Sequence, residues 1–193
     1  MAQLYFPATQ QNRQAIWQVL GALCVSGRIL EVASGSGEHL QFFRDQAPHI
    51  EWLGSDPVAE HRASIQAWNP LAPPPLDLDV SLADWPIAFP LDGIVAINLL
   101  HIAPWSASLG LLSGAARHLK SGGWLYLYGA YLRLEVTTAP SNLAFDRGLR
   151  AQNPDWGVRQ LEEVVAEAEK LGLVLERVVE MPANNLSVIF RKP

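Results

Sequence analysis

The chain has 193 residues, 49% hydrophobic and 17% charged, with a formal net charge of −5 at pH 7. Such a length and composition suit one globular domain spanning 1–193 with a sizeable core, no run approaches the roughly 18 to 20 apolar residues of a membrane span, and the start, MAQLYFPATQQ, lacks the basic-then-apolar pattern of an export signal. The one cysteine, Cys24, has no internal partner, no Cys/His cluster has zinc-ligand spacing, and the acidic balance disfavours holding nucleic acid by phosphate neutralisation, so the expectation is a metal-free cytoplasmic protein.

Ile16, Val19, Leu20 and Leu23 recur at helical spacing and predict an amphipathic helix over Gln11 to Leu23, within an N-terminal extension of residues 1–27. RILEVA, Arg28 to Ala33, is a short apolar run between glycines and reads as a buried strand; Glu38 to Gln46 reads as a helix, Glu51 to Ser55 as a strand and Ala59 to Ala67 as a helix. The stiff, proline-rich loop NPLAPPPL delivers a third strand at Leu76 to Val80. Leu91 to Leu99 is the longest strand-like run, Trp105 to Leu119 reads as a helix closed by Ser121 to Gly123, and Trp124 to Tyr131 is a fifth strand. From 132 to 158 the pattern weakens into a lid-like insertion with one short helix between Asn142 and Arg150. A last helix through Leu161, Val164, Val165, Ala168 and Leu171 precedes two strands, Leu173 to Met181 and Leu186 to Arg191, whose brief connection requires an antiparallel pair. Strand–helix alternation of this kind implies an α/β fold with a mostly parallel sheet.

The turn ASGSGEH between the first strand and its helix brings backbone N–H groups and a helix N-terminus towards a ligand. A dinucleotide fingerprint would need glycine where Ala33 and Glu38 stand, which weakens a pyrophosphate reading. Asp56 falls about 20 residues beyond that turn, where a carboxylate accepts both hydroxyls of a ribose. Its bland reading is a cap for the next helix, which Pro57 would open. Asp79 and Asn98 stand at the ends of the third and fourth strands, the sheet edge where such folds bind ligands.

LEVASGSG, the strand-end Asp56 and Asp79, DGIVAINLLH and LKSGGWLYLYG occur in the order that marks class I S-adenosylmethionine-dependent methyltransferases, which the chain resembles. TAPSNLAFDRGLRAQNPDWGVR and MPANNLSVIFRK further resemble the methyltransferase-like family of domain of unknown function 938, of methyltransferase-like protein 26 type. The resemblance covers nearly the whole chain. It implies a Rossmann-like seven-stranded sheet with an antiparallel last strand and helices on both faces. S-adenosylmethionine is the implied cofactor, with Glu31, Ala33, Ser34, Gly35 and Gly37 facing its methionine part. Asp56 would hold the ribose, Asp79 and Val80 the adenine, and Asn98 and Leu99 the amino group near the sulfonium. Glycine is the family's usual residue at the position of Ala33; a Cβ disfavours positive φ, so an ordinary φ is expected there, with a tighter cofactor site.

For the chemistry, His101 in NLLHIAP is the best-placed general base, with Tyr128 and Asp146 as further candidates for the catalytic set. Packing of the next turn is the bland reading for His101. Tyr131, Asn142, Trp156, Arg159, Asn184 and Asn185 would frame the methyl acceptor, a small molecule or protein, with Arg13 reaching in from the N-terminal helix. The NN pair doubles as a hairpin turn signal. His39, His49, His61 and His118 read as surface or capping groups, and Tyr5 and Phe6 as an anchor beside Arg13. With Leu99 and Leu100 after Asn98 there is no NPPY-like run, which disfavours transfer to the amino groups of bases or glutamine. A non-catalytic S-adenosylmethionine or S-adenosylhomocysteine-binding module and an NAD-dependent oxidoreductase are the rival readings.

Overall fold

Side-chain alternation along the central strands divides the core into two apolar layers, one on each face of a twisted sheet. The computed structural model describes residues 2–193. In chain order it contains α1 (Pro7–Leu20), β1 (Arg28–Val32), α2 (Glu38–Gln46), β2 (Glu51–Gly54), α3 (Ala59–Trp68) and β3 (Leu91–Ile97). There follow α4 (Trp105–His118), β4 (Leu119–Leu132), α5 (Pro140–Gln152), β5 (Arg159–Gln160), α6 (Leu161–Lys170), β6 (Val174–Met181) and β7 (Asn185–Arg191).

The sheet runs β2-β1-β3-β4-β7-β6, with β5 pairing the end of β4. β2, β1, β3 and β4 are parallel, and β7 lies antiparallel to both β4 and β6. Leu30, Val32, Ile94, Leu125 and Leu127 point to the layer completed by Leu111 and Leu112 of α4 and Val164 of α6. Ile29, Val95, Trp124 and Tyr126 point the other way, against Ile16 and Leu20 of α1, Phe43 of α2 and Ile65 of α3. The expected Rossmann-like sheet with an antiparallel last strand and helices on both faces is therefore present.

Its membership differs from the expectation. Leu76 to Val80 contributes only one parallel bridge, Leu76 to Ser55, because Arg62 engages Asp77 and the carboxylate of Asp79 turns back onto Ser81. The seventh strand is instead β5, two residues long and without a periodicity to read. β3 stops at Ile97 because Asn98 takes φ 60°, and Leu99–His101 continue as a 3₁₀ turn. The longest strand is thus β4, not β3. α1 begins at Pro7, where a missing N–H is harmless in a first turn, and α5 is longer than expected.

Candidate functional site

The carboxyl ends of β1, β2 and β3 open into a cleft of about 330 Å³. Glu31, Ala33, Ser34, Gly35, Asp56, Asn98 and Leu99 all line it. The turn after β1 is built by interlocking polar groups. Ser34 N–H donates to Ser55 O at 2.8 Å, Ser34 Oγ donates to Glu31 O at 3.2 Å, and Gly35 N–H donates to Asp56 Oδ2 at 2.9 Å. Asp56, only 3% exposed, also accepts from Val58 N–H and from His61 Nδ1 at its other oxygen. The aspartate thus clasps the glycine turn to the start of α3; Oδ1 carries two donors, and Oδ2, with Gly35 N–H alone, keeps one acceptor site.

Two positions in this turn depart from the sequence reading. Ala33 has φ 50° rather than an ordinary φ, because the chain must reverse at once to bring Ser34 to β2 and Gly35 to Asp56. Gly37 does not line the cleft. It takes φ 86° as the residue before α2, where a Cβ would meet Ile65 Cα at 2.8 Å, so it serves close packing of α3.

Glu31 sits on the floor, 2% exposed, with Oε2 unpartnered. Burial raises its carboxyl to about 8, against the opposing hydrogen bond of Ser34 and the charge of Arg44, while Asp56 adds to the rise. A second pocket of about 260 Å³ adjoins the first through Ala33, Pro57 and Leu99, and carries Asp79 and Val80 on its wall. Asp79 is exposed and its Oδ1 accepts from both the N–H and the hydroxyl of Ser81.

On the far side a third cleft, of about 640 Å³, shares Ala8, Asn98 and Ile102 with the first. His101 and Tyr128 form its inner wall, and Asn142, Asn184 and Asn185 its outer wall. The His101 ring packs edge-on against Phe145 at 5.2 Å. A Cβ on Gly129 would sit 3.1 Å from the ring, so glycine there gives the imidazole its place. Burial holds His101 down to about 4, with the charge of Arg159 adding, so the ring is neutral across physiological pH. Burial raises the Tyr128 hydroxyl, while the Asn12 side chain favours its ionised form. Asn184 does both duties foreseen for an NN pair: it takes φ 58° in the turn between β6 and β7, and its carbonyl accepts from Asn142 Nδ2 at 3.0 Å in the cleft wall.

Several expected site residues are elsewhere. Asp146 pairs with Arg150 and accepts Val158 N–H at 2.8 Å, securing α5 to the chain before β5. Arg159 donates to the carbonyls of Leu100, Ala103 and Asp155, stapling the turn after β3. Trp156 packs with Leu149 and Val158 beneath α5, and Arg13 lies over the Phe42 ring. Tyr131 is three residues beyond Tyr128, which puts it on the opposite face of β4; there it borders a separate cavity of about 120 Å³. Burial also raises its hydroxyl pKa.

Other contributors escaped the sequence reading. Phe6 walls the first cleft, its ring 3.0 Å from where a Gly35 Cβ would be and edge-on to His61, while Tyr5 packs on Trp68 rather than beside Arg13. His39 is buried, not a surface group; its Nε2–H donates to Asn12 Oδ1 at 2.8 Å. Burial pushes this histidine down to about 3, so it too is neutral. His49 and His118 lie away from all three clefts, beside Cys24 O and on the Trp85 ring respectively. Asn12 itself lines the large cleft. The position of Asn12 on the inward face of α1, between Ala8 and Ile16, was the available signal. Among the described residues there is no group of three or more His, Cys, Asp or Glu placed to hold a metal, and no helix long and apolar enough to cross a membrane.

A sheet of this order with a ligand-sized cleft at its carboxyl edge defines the Rossmann-like methyltransferase fold, and solved structures share it. A chain from the complex that contains the Haloferax volcanii Trm112 methyltransferase activator superposes with TM-score 0.77 at 17% identity, over 96% of this chain and 92% of that one. The mitomycin 7-O-methyltransferase MmcR gives 0.78 at 20% identity, over 95% and 54%. CalO1, a methyltransferase of calicheamicin biosynthesis with S-adenosylhomocysteine bound, gives 0.73 at 19%, over 95% and 55%. The chain thus spans a little over half the length of the last two. The model of the family described as protein of unknown function DUF938 matches residues 3–192, and the chain belongs to that family.

Proposed function

We propose that the protein is an S-adenosylmethionine-dependent methyltransferase whose acceptor occupies the large cleft beside His101. The observation that carries this reading is the Glu31 carboxyl, buried on the cleft floor with one oxygen unpartnered, beside a strand-end Asp56 clasped to a glycine turn. An orphaned buried carboxyl is costly unless something completes it, and a ligand's ammonium does so. The linked first and second pockets, about 330 and 260 Å³, are of the size that small-molecule sites take.

Glu31 then holds the amino group of the methionine part, Asp56 the ribose hydroxyls, and Asp79 with the Val80 backbone the adenine edge. Asn98 and Leu99, just past β3, border the junction with the acceptor cleft. When bound, the cofactor supplies an electrophilic methyl on sulfonium, and the C–S electron pair leaves on sulfur. The protein's part is to align the acceptor and take its proton, for which His101, neutral and walling the cleft, is the base. Tyr128 and Asn142 orient the acceptor, and α5 with its flanks, within 132–158, acts as the lid. Soluble, cytoplasmic action on a small molecule or protein fits this arrangement.

Calorimetric titration with S-adenosylmethionine, S-adenosylhomocysteine and NAD tests the proposal. Saturable binding of the first two alone is expected, weakened by roughly 1 to 3 kcal/mol in Asp56→Ala. Binding of NAD instead, or of none, overturns it. Binding of S-adenosylmethionine with no transfer to any acceptor would leave a non-catalytic module.

A further inference from the structure

The acceptor cleft has no Asp, Glu, Lys or Arg on its wall. The nearby charges are turned to other work: Arg159 onto backbone carbonyls, Asp146 into its pair with Arg150, Arg13 over Phe42. Most of the polar groups that remain are side-chain amides, among them Asn12, Asn142 and Asn184, beside His101, Tyr128 and Ser141. An acceptor carrying a net charge would surrender its hydration here without meeting an opposite charge, whereas amides satisfy neutral donors and acceptors equally well.

The apolar part of the wall is aromatic and partly open. Phe145 is 43% exposed at the mouth, edge-on to His101, and Ile102 beside it is 44% exposed. Exposed apolar side chains around a concave site offer a planar ring a surface to pack against. The cleft, about 640 Å³, is of small-molecule size. An acceptor amine in its protonated form, and a carboxylate, are both charged. A hydroxyl is neutral and brings one proton for a neutral imidazole to take.

Building on the methyltransferase reading above, we infer that the acceptor is an uncharged, hydroxylated aromatic small molecule, its ring packed against Phe145 and its hydroxyl directed to His101. In the transfer the acceptor oxygen forms the bond to the methyl carbon as the carbon–sulfur bond breaks. The electron pair of that bond stays on sulfur, and the hydroxyl proton passes to the imidazole. Balance requires no oxidant or reductant.

The test uses three probes that share a phenol ring and differ in charge: 4-hydroxybenzamide, 4-hydroxybenzoate and tyramine. Each is titrated by ligand-observed NMR into the protein saturated with S-adenosylhomocysteine. The neutral probe is expected to bind at least tenfold tighter than either charged one, and at least fivefold weaker to Phe145→Ala. Gln11→Glu, an exposed position on the rim, should move the preference towards tyramine without disturbing the fold. Equal or tighter binding of a charged probe, no binding of any probe at millimolar concentration, or indifference to Phe145→Ala overturns the inference. Failure of S-adenosylhomocysteine to bind in the first step overturns the methyltransferase reading itself, so the two failures are distinguishable.

Discussion

Ala33 holds a left-handed backbone, φ 50°, where an L side chain costs roughly 1 to 2 kcal/mol relative to the right-handed region. The residue also borders both the first and the second pocket. Ala33→Gly should therefore raise stability by about 0.5 to 1 kcal/mol, part of the relief being lost to glycine's greater freedom in the unfolded chain. Paired urea titrations measure this; an equal or lower midpoint for the variant would show that the turn carries no strain. His101 presents a second residue-scale expectation. Burial and the charge of Arg159 hold it near 4, so its ring proton resonances should stay at their neutral positions from pH 8 down to about 5. A midpoint above 6 by NMR would mean that the ring is solvated and not poised as described. At this scale the sequence is readable where a residue's role depends on its place along a strand. Asp56 lines the cleft where its spacing from the glycine turn puts it, and Glu31 where the family resemblance puts it; parity along β4 separates Tyr131 from Tyr128, although the sequence reading sets Tyr131 at the acceptor. What it hides is whether a charge is already engaged: Asp146 and Arg159 are spent on Arg150, Val158 N–H and backbone carbonyls brought close only by folding.

The segment before α1 is the element that most changes the site. Leu4 N–H donates to Ser64 Oγ, Phe6 N–H to Glu38 Oε2 at 2.8 Å, and Gln3 reaches Ala67 O, so residues 3–6 lie across α2 and α3. This path lays the Phe6 ring over Gly35 as a wall of the cleft that holds Glu31 and Asp56. Phe6 is 41% exposed, so Phe6→Ala should leave the fold intact and weaken S-adenosylhomocysteine binding roughly five- to tenfold, the worth of a half-buried aromatic side chain. Calorimetry together with a thermal melt checks it; undiminished affinity would mean that the ring covers nothing. Element positions were legible where apolar period or a glycine break marks them, as at β1, α2 and β2. They were not legible at Leu76, where pairing is settled by Asp77 reaching Arg62 and Asp79 folding onto Ser81, nor at β5, too short to have a period. The segment over Gly35 was hidden for a related reason: its partners lie on helices far along the chain.

Across the whole molecule, the parallel part of the sheet follows from alternation and the antiparallel closing pair from the brief link between β6 and β7, whereas the strand order β2-β1-β3-β4-β7-β6 comes from the folded structure. The neutrality of the large cleft beside His101 could not be read from the sequence, since it depends on where every neighbouring charge is turned. Buried ionisable groups lining the two clefts make stability depend on pH in opposite senses. His39 and His101 have folded values of about 3 and 4, below the ordinary 6.5; what they contribute is present above 6.5 and lost as pH falls through 4 and 3. Glu31 is raised from 4.5 to about 8, so its contribution is complete below 4.5 and is lost as pH rises through 8. Between about pH 5 and 8 Glu31 therefore contributes a loss of stability in the ligand-free protein, opposed below 6.5 by the gain from the two histidines. One proton sets the limit of that slope at about 1.4 kcal/mol per pH unit. Glu31→Gln removes the proton and keeps the shape, so the difference in unfolding free energy, variant minus wild type, should grow with pH over the same interval, the slope from the two histidines being common to both. Urea unfolding of both proteins at pH 5, 6.5 and 8 decides the matter. Parallel slopes would mean that the Glu31 carboxyl is ionised and solvated in the free protein, and the argument for a ligand ammonium beside it would lose its support.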